Sequence, residues 1–189
     1  MSENKVTFGL KNVHYAPFTV TAGVITYETP IKIPGSVNLS LEPRGDMTEF
    51  YADDMLYYSA SNNQGYDGTL EIANIIEQFA IDCIGEEKDS EDMVMTEKAS
   101  SVGKPYALMF EFDGDIKAVR HVLYSCTASR PKIASGTKTN AKEPNTNELK
   151  FVSSPRETDL AVKTKTTATT PQPIYDAWYT KVYEKVVAI

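Results

Sequence analysis

At 189 residues, with 41% hydrophobic and 24% charged side chains, the chain suits one soluble globular domain, residues 1–189, with a core of its own. A formal net charge of −7, without any cluster of Lys and Arg, excludes a protein that grips nucleic acid by neutralising phosphates. No apolar run approaches the roughly 20 residues that span a bilayer, and Met1-Ser2-Glu3-Asn4-Lys5 lacks the apolar segment of a signal peptide, so a cytoplasmic product without a membrane partner is expected.

Short alternating segments open the chain. Val6, Phe8 and Leu10 alternate with polar residues, as do Val37, Leu39 and Leu41, and both runs read as half-buried strands. Pro34-Gly35 and Pro43-Arg44-Gly45-Asp46 are turn signals around the second. Pro43–Gly65 then carries Met47, Phe50, Tyr51, Met55, Leu56, Tyr57 and Tyr58, broken by Asp and Ser; it reads as a long inter-strand loop or arm, or as a hairpin folded back on its own sheet. A further strand is expected near Gly68–Ile72.

Asn74–Gly85 reads as a helix, because Ile72, Ile75, Ile76, Phe79, Ala80 and Cys83 share one face at helical spacing. Asn74 with Glu77 fits a capping box, and Gly85 is placed to end the helix. The acidic run Glu86–Asp92 reads as a solvated loop. Lys104–Asp113 and Ile116–Ala128 form the strongest hairpin signal, joined through Asp113-Gly114-Asp115. A two-residue loop Gly114-Asp115 sets Phe110 against Val119, Leu108 against His121 and Tyr106 against Leu123. The opposite face then holds Met109, Glu111, Arg120 and Tyr124, either partly wet or against another subunit.

After Pro131 the composition shifts. Ser135–Asn147 reads as a loop or arm, Phe151–Val162 as a strand and Lys163–Pro173 as a Thr-rich connector without an apolar anchor. In Ile174–Ile189 the positions of Tyr175, Trp178, Tyr179, Val182, Tyr183 and Val186 are spaced as in a helix, while Val182, Glu184 and Val186 also fit a strand. Such an apolar segment must dock on its own domain or on a neighbour.

The chemistry-bearing residues are few. There is no G-x-x-x-x-G-K, G-x-G-x-x-G or G-x-S-x-G string. Cys83 and Cys126 lie outside any C-x-x-C pattern and read as buried free thiols. His14 sits in a turn-like stretch before Ala16-Pro17, and His121 in mid-strand as a core or interface histidine. With two histidines and no cysteine pair, no structural zinc is expected. Asp113 and Asp115 bracket a hairpin glycine, and adjacent Asp53-Asp54 point different ways in most backbones. No catalytic residue, cofactor site or metal site is expected, hence no enzyme.

An ordered series of strings carries a resemblance. Gly9-Leu10-Lys11-Asn12-Val13-His14-Tyr15-Ala16 is followed by Ile33-Pro34-Gly35-Ser36-Val37, Phe50-Tyr51-Ala52-Asp53-Asp54 and Gly65-Tyr66-Asp67-Gly68-Thr69-Leu70-Glu71. The segment Phe79–Gly85, then Phe110-Glu111-Phe112-Asp113-Gly114-Asp115, Arg120-His121-Val122, Tyr124-Ser125-Cys126 and Arg130-Pro131 complete it. In order and spacing these strings resemble the phi13-type major tail proteins of phages that infect Gram-positive bacteria. From Ala134 onward only the general pattern is shared.

The resemblance implies a mainly β fold of tail-tube type: a β-sandwich or small barrel with one flanking α-helix, a long inter-strand loop and a C-terminal arm. It implies a structural virion protein of a siphophage tail, assembled in the host cytoplasm. Rings of six subunits would join sheets edge to edge and stack into a tube for DNA ejection. The implied partners are further copies of the chain, a tape-measure protein, a tail terminator and distal tail or baseplate proteins, with DNA passing unbound. Inter-ring and inter-subunit contacts are expected at Met47, Phe50, Tyr51, Met55, Leu56, Tyr57, Tyr58, Trp178 and Tyr179. The acidic charge either faces the channel, keeping phosphates off its wall, or keeps the protein soluble. A tube subunit of a contractile tail or secretion system shares these features, and a carbohydrate-binding or adhesion module would use the same aromatics as a platform.

Overall fold

A computed structural model of the chain describes residues 3–137 and 144–185. In chain order its strands are β1 (Thr7–Thr21), β2 (Val24–Tyr27), β3 (Ile31–Lys32), β4 (Ser36–Pro43), β5 (Met47–Ala52), β6 (Met55–Ser61) and β7 (Tyr66–Ile72). A helical segment α1 (Glu77–Phe79) runs on as a π-helical turn, Ala80–Ile84. Next come β8 (Glu87–Lys88), β9 (Met95–Thr96), β10 (Tyr106–Gly114), β11 (Val119–Ala128), β12 (Asn147–Ser154) and β13 (Lys163–Lys165). The short helix α2 (Gln172–Asp176) with a 3-10 turn, Ala177–Tyr179, ends the regular structure. The fold is mainly β.

One sheet dominates, in the order β2-β1-β10-β11-β12-β7-β4, with β13 beside β11 and β3 beside β1. The sheet rolls up: Leu10 on β1 and Leu39 and Leu41 on β4, far apart in strand order, pack on the same cluster of Tyr15, Leu70, Phe79, Leu108, Phe110, Leu149 and Phe151. Two irregularities bend the fifteen-residue β1 so that it follows this curve, one between Phe8 and Leu10 and one between Lys11 and His14. Gly9 and Asn12 take up the positive φ that such bulges require. β1 therefore runs through His14, Ala16 and Pro17, where the sequence suggests a turn.

The helix departs from its expected bounds. Ile76, extended and with no side-chain cap, precedes Glu77, so Asn74 and Glu77 form no capping box. Ile75 and Ile76 are half-buried against the core; packing there, with Ile76 extended, overrides the helical spacing. The π-helical turn that follows buries Ala80, Cys83 and Ile84 together. Gly85 ends it as expected, left-handed and so close to Val102 that a Cβ would lie 2.7 Å from that residue's carbonyl carbon.

The β10–β11 hairpin forms in a different register. Phe112 faces Val119, Phe110 faces His121 and Leu108 faces Leu123, each two residues from the tight-turn expectation. The cause is remote. The Asn4 side chain accepts hydrogen bonds from the amides of Ile116 and Lys117 (3.2 and 3.1 Å) and donates to the Lys117 carbonyl (2.6 Å), which supports a wider turn. An even shift leaves each side chain on its expected face.

That outer face is not wet. Met109, Val122 and Tyr124 join Ala16 and Ala107 in a second cluster, closed over by Trp178 and Val182 of the C-terminal segment. The helix expected over Ile174–Ile189 stops after the turn at Tyr179, and Val182 and Tyr183 dock without it; Val186 and Val187 lie outside the described residues. The strand expected at Phe151–Val162 is β12, shifted toward the N-terminus, and 155–162 is a loop. The connector has an anchor after all. Lys163–Lys165 pairs with β11, and buried Thr166 donates its amide to the Arg120 carbonyl (2.8 Å). The acidic run is exposed, though Glu87–Lys88 pairs with Met95–Thr96. Of the loop expected over Ser135–Asn147, residues 138–143 lie outside the described residues.

Candidate assembly surfaces

β5 and β6 pair only with each other, apart from the main sheet. Their register sets Phe50 against Tyr58 and Tyr51 against Leu56, with Tyr57 as the extra residue of a bulge. Met47, Phe50, Tyr51, Met55, Leu56, Tyr57 and Tyr58 are each between 49% and 70% exposed, and none belongs to either core cluster. The hairpin is not folded back on its own sheet. Asp53 and Asp54 form its turn, both at positive φ (53° and 56°) between paired Ala52 and Met55. This is the geometry of a type I′ hairpin, and it accounts for the carboxylate pair. At the base, Gly45 and Gly65 have φ of 112° and 100°, and a Cβ on Gly65 would sit 1.8 Å from the Ser153 carbonyl oxygen. A two-stranded ribbon with apolar groups on both faces is marginal in water without a partner.

The second surface is the outer face of β4, β7 and β12. The pairings Glu42–Asp67, Ser40–Thr69 and Asn38–Glu71 continue across to Val152, Lys150 and Glu148. Leu70, Ile72, Leu149 and Phe151 turn inward to the core, so by alternation these polar partners point out. Glu42, Asp67 and Glu148 face solvent against Lys150, Glu71 is half-buried and accepts from the Thr146 hydroxyl (2.6 Å), and Val152 is the face's large apolar side chain. Arg44 reaches Asp67 at 3.5 Å. No part of the described chain covers this face with an apolar layer of the kind the strap forms over the β1–β10–β11 side. The sequence reading did not locate it; the alternation Asn38, Ser40, Glu42 with Asp67, Thr69, Glu71 was the available signal.

Trp178 and Tyr179, expected at an interface, are used within the chain. Trp178 is 2% exposed, stacks on Tyr183 at 5.4 Å and donates Nε1–H to the His121 carbonyl (3.4 Å). Tyr179 stacks on His14 at 4.6 Å and donates to Glu111 Oε2 (3.2 Å). Arg120 pairs with that carboxylate at 3.0 Å, donates to the Tyr175 carbonyl and lies 3.8 Å from the Tyr175 ring centroid. Arg156 holds the other end: it is bidentate on Asp159 (2.9 and 2.6 Å), reaches Glu184 at 2.9 Å and lies over the Tyr124 ring. The buried guanidiniums are thus paired, as burial requires. Burial, Glu111 and the bond to it push the Tyr179 hydroxyl pKa far up.

Cys83 and Cys126 are buried free thiols; burial raises both, Cys126 to about 12, which leaves them unreactive. The His121 ring stacks on Phe110 at 5.0 Å, and burial, with Lys163 and Lys165 nearby, pushes its pKa down to about 4. His14 is lowered as well, chiefly by burial. The unfolded chain, whose histidines titrate near 6.5, therefore takes up protons first as pH falls. Stability is expected to be full above about pH 6.5 and to drop between about 6.5 and 4, by roughly 2 kcal/mol through His121 once its partial exposure is allowed for. Urea unfolding at pH 7 and pH 4.5 measures this. His121→Leu should lose most of the difference; equal pH sensitivity in the variant would contradict the assignment.

Among the described residues no group of His, Cys, Asp and Glu is placed to hold a metal ion, and no helix is long and apolar enough to cross a membrane. No family model and no curated protein matches the sequence. Among solved structures the chain is similar to the tube terminating cap of the anti-feeding prophage, with a TM-score of 0.46 and 10% identity over 88% of this chain and 97% of that chain. A likeness at that level bears on neither activity nor partners.

Proposed function

We propose that this chain is the major tail tube subunit of a long, non-contractile phage tail, a structural protein that polymerises into stacked rings of six around a DNA channel. The observation that carries this reading is the β5–β6 hairpin: seven large apolar side chains stand clear of the domain and call for a partner surface. A second copy, one ring along, supplies such a surface repeatedly, and a head-to-tail contact repeated without closure produces a filament.

The acidic face of β4, β7 and β12 suits a channel wall. Its carboxylates repel phosphates within a Debye length, about 8–10 Å at cellular salt, and it offers duplex DNA almost no apolar or cationic hold. During assembly a tape-measure protein would fill the channel, a terminator would cap one end, and distal tail or baseplate proteins would occupy the other. The virion tail is then the protein's location. The experiment is electron microscopy of the concentrated protein: tubes with a central channel are expected, and aggregates or filaments without a channel would refute the reading.

A further inference from the structure

The strand order also says which edges meet within a ring, an inference that rests on the tube reading. We propose that the free edge of β4 pairs with the end of β11, Thr127–Arg130, of the adjacent copy. β4 bonds to β7 on one side only. It is eight residues long, carries Glu42 as its one charge and has its proline at the last position. Soluble proteins guard such an edge with lysine, inward charge or a covering loop; β4 has an irregularity between Ser36 and Asn38, and Thr7–Leu10 of β1 come alongside Val37–Leu39 without pairing with them.

At the other side of the same acidic face lies β11. Its pairing with β10 stops at Cys126, opposite Tyr106, whereas its pairing with β12 continues through Ala128. The bond from the Ser129 amide to the Lys150 carbonyl (2.8 Å) extends it further. Thr127–Arg130 therefore has one bonded side and one open side. The rival edges fit less well: β2 lies at the far end of the strand order, beyond β1 and β10 and away from the acidic face, and β13 has three residues with Lys163 and Lys165 on them.

Direction decides the match. β4–β7, β7–β12 and β12–β11 are all antiparallel, so β4 and β11 run in opposite senses. Placing β4 of one copy beside β11 of the next keeps the alternation unbroken around a ring, and closure removes both edges. Glu42 lies on one edge and Lys132 just past the other, where Arg130 is already paired with Glu97 of its own chain at 2.7 Å. Paired in this way, the acidic faces of all copies form one continuous surface.

The test is a cysteine pair on one chain. Ser40 and Ser129 both lie on the outer face, and antiparallel neighbours about 4.5–5.5 Å apart at Cα suit a disulfide. Tubes of Ser40→Cys/Ser129→Cys, oxidised and run without reductant, should give a ladder of covalent oligomers that ends at the ring number. Asn38→Cys/Ser129→Cys covers the neighbouring register, and each single variant should give no ladder. Tubes without a ladder from either pair would overturn the edge assignment and leave the tube reading standing. A wild-type protein that assembles no rings or tubes would overturn both.

Discussion

Alanine at both Tyr57 and Tyr58 is expected to leave a folded subunit that no longer extends tubes. Tyr57 is 70% and Tyr58 58% exposed, and their contacts lie within the β5–β6 ribbon, where Tyr57 meets Phe50 edge-on at 6.4 Å. Removing surface side chains of this kind changes monomer stability by about 0.5 kcal/mol or less. At an interface the same residues are anchors, each worth about 2 kcal/mol or more. Losing two weakens every inter-ring contact by about a thousandfold, since 1.4 kcal/mol is a factor of ten. Thermal unfolding should match the wild type while microscopy finds no tubes. An unchanged polymer yield would show that the hairpin is not the stacking arm.

Trp178→Ala should do the reverse. Its indole stacks on Tyr183 and closes over Met109 and Val122, so truncation opens a cavity in a packed cluster and costs about 3–5 kcal/mol. The measured quantity is the shift in denaturant midpoint at constant slope. A loss below about 1 kcal/mol would mean that the C-terminal segment is an accessory and not a layer of the core. The two variants together separate aromatics that serve assembly from aromatics that serve the fold. Sequence alone placed Tyr57, Tyr58, Trp178 and Tyr179 in one group.

That grouping shows what the sequence made legible and what it did not. Alternation identified β1 and β4, because period-two burial is a local property, and β-prone runs around a turn signal identified β10 and β11. Gly85 as the helix stop followed from local conformational preference, whereas the turn at Asp53-Asp54 emerged only with the pairing of Ala52 and Met55. The register of β10 and β11 was not legible, since Asn4 sets that turn from more than a hundred residues away. Asn74 failed as a cap because Ile75 and Ile76 pack on the core and Ile76 is extended.

The second cluster was half visible. Met109 and Tyr124 share a face with Glu111 and Arg120 in the sequence pattern, which reads as partly wet or set against another subunit. In the fold, Glu111 and Arg120 bond to each other and to Tyr175 and Tyr179 beneath the C-terminal strap. A charge pair hidden by a segment fifty residues later leaves no mark on the strand itself. The acidic face needed three strands in register before Glu42, Asp67, Glu71 and Glu148 came onto one surface.

The proposed tube has that acidic face as its wall and its rings joined by the β5–β6 hairpin. A helical reconstruction of tubes assembled from the pure protein measures both at once. The expected density has β4, β7 and β12 around the lumen, with Glu42 and Glu148 pointing into it and each hairpin seated on the neighbouring ring. A lumen lined by another face, or hairpins projecting freely into solvent, would contradict it.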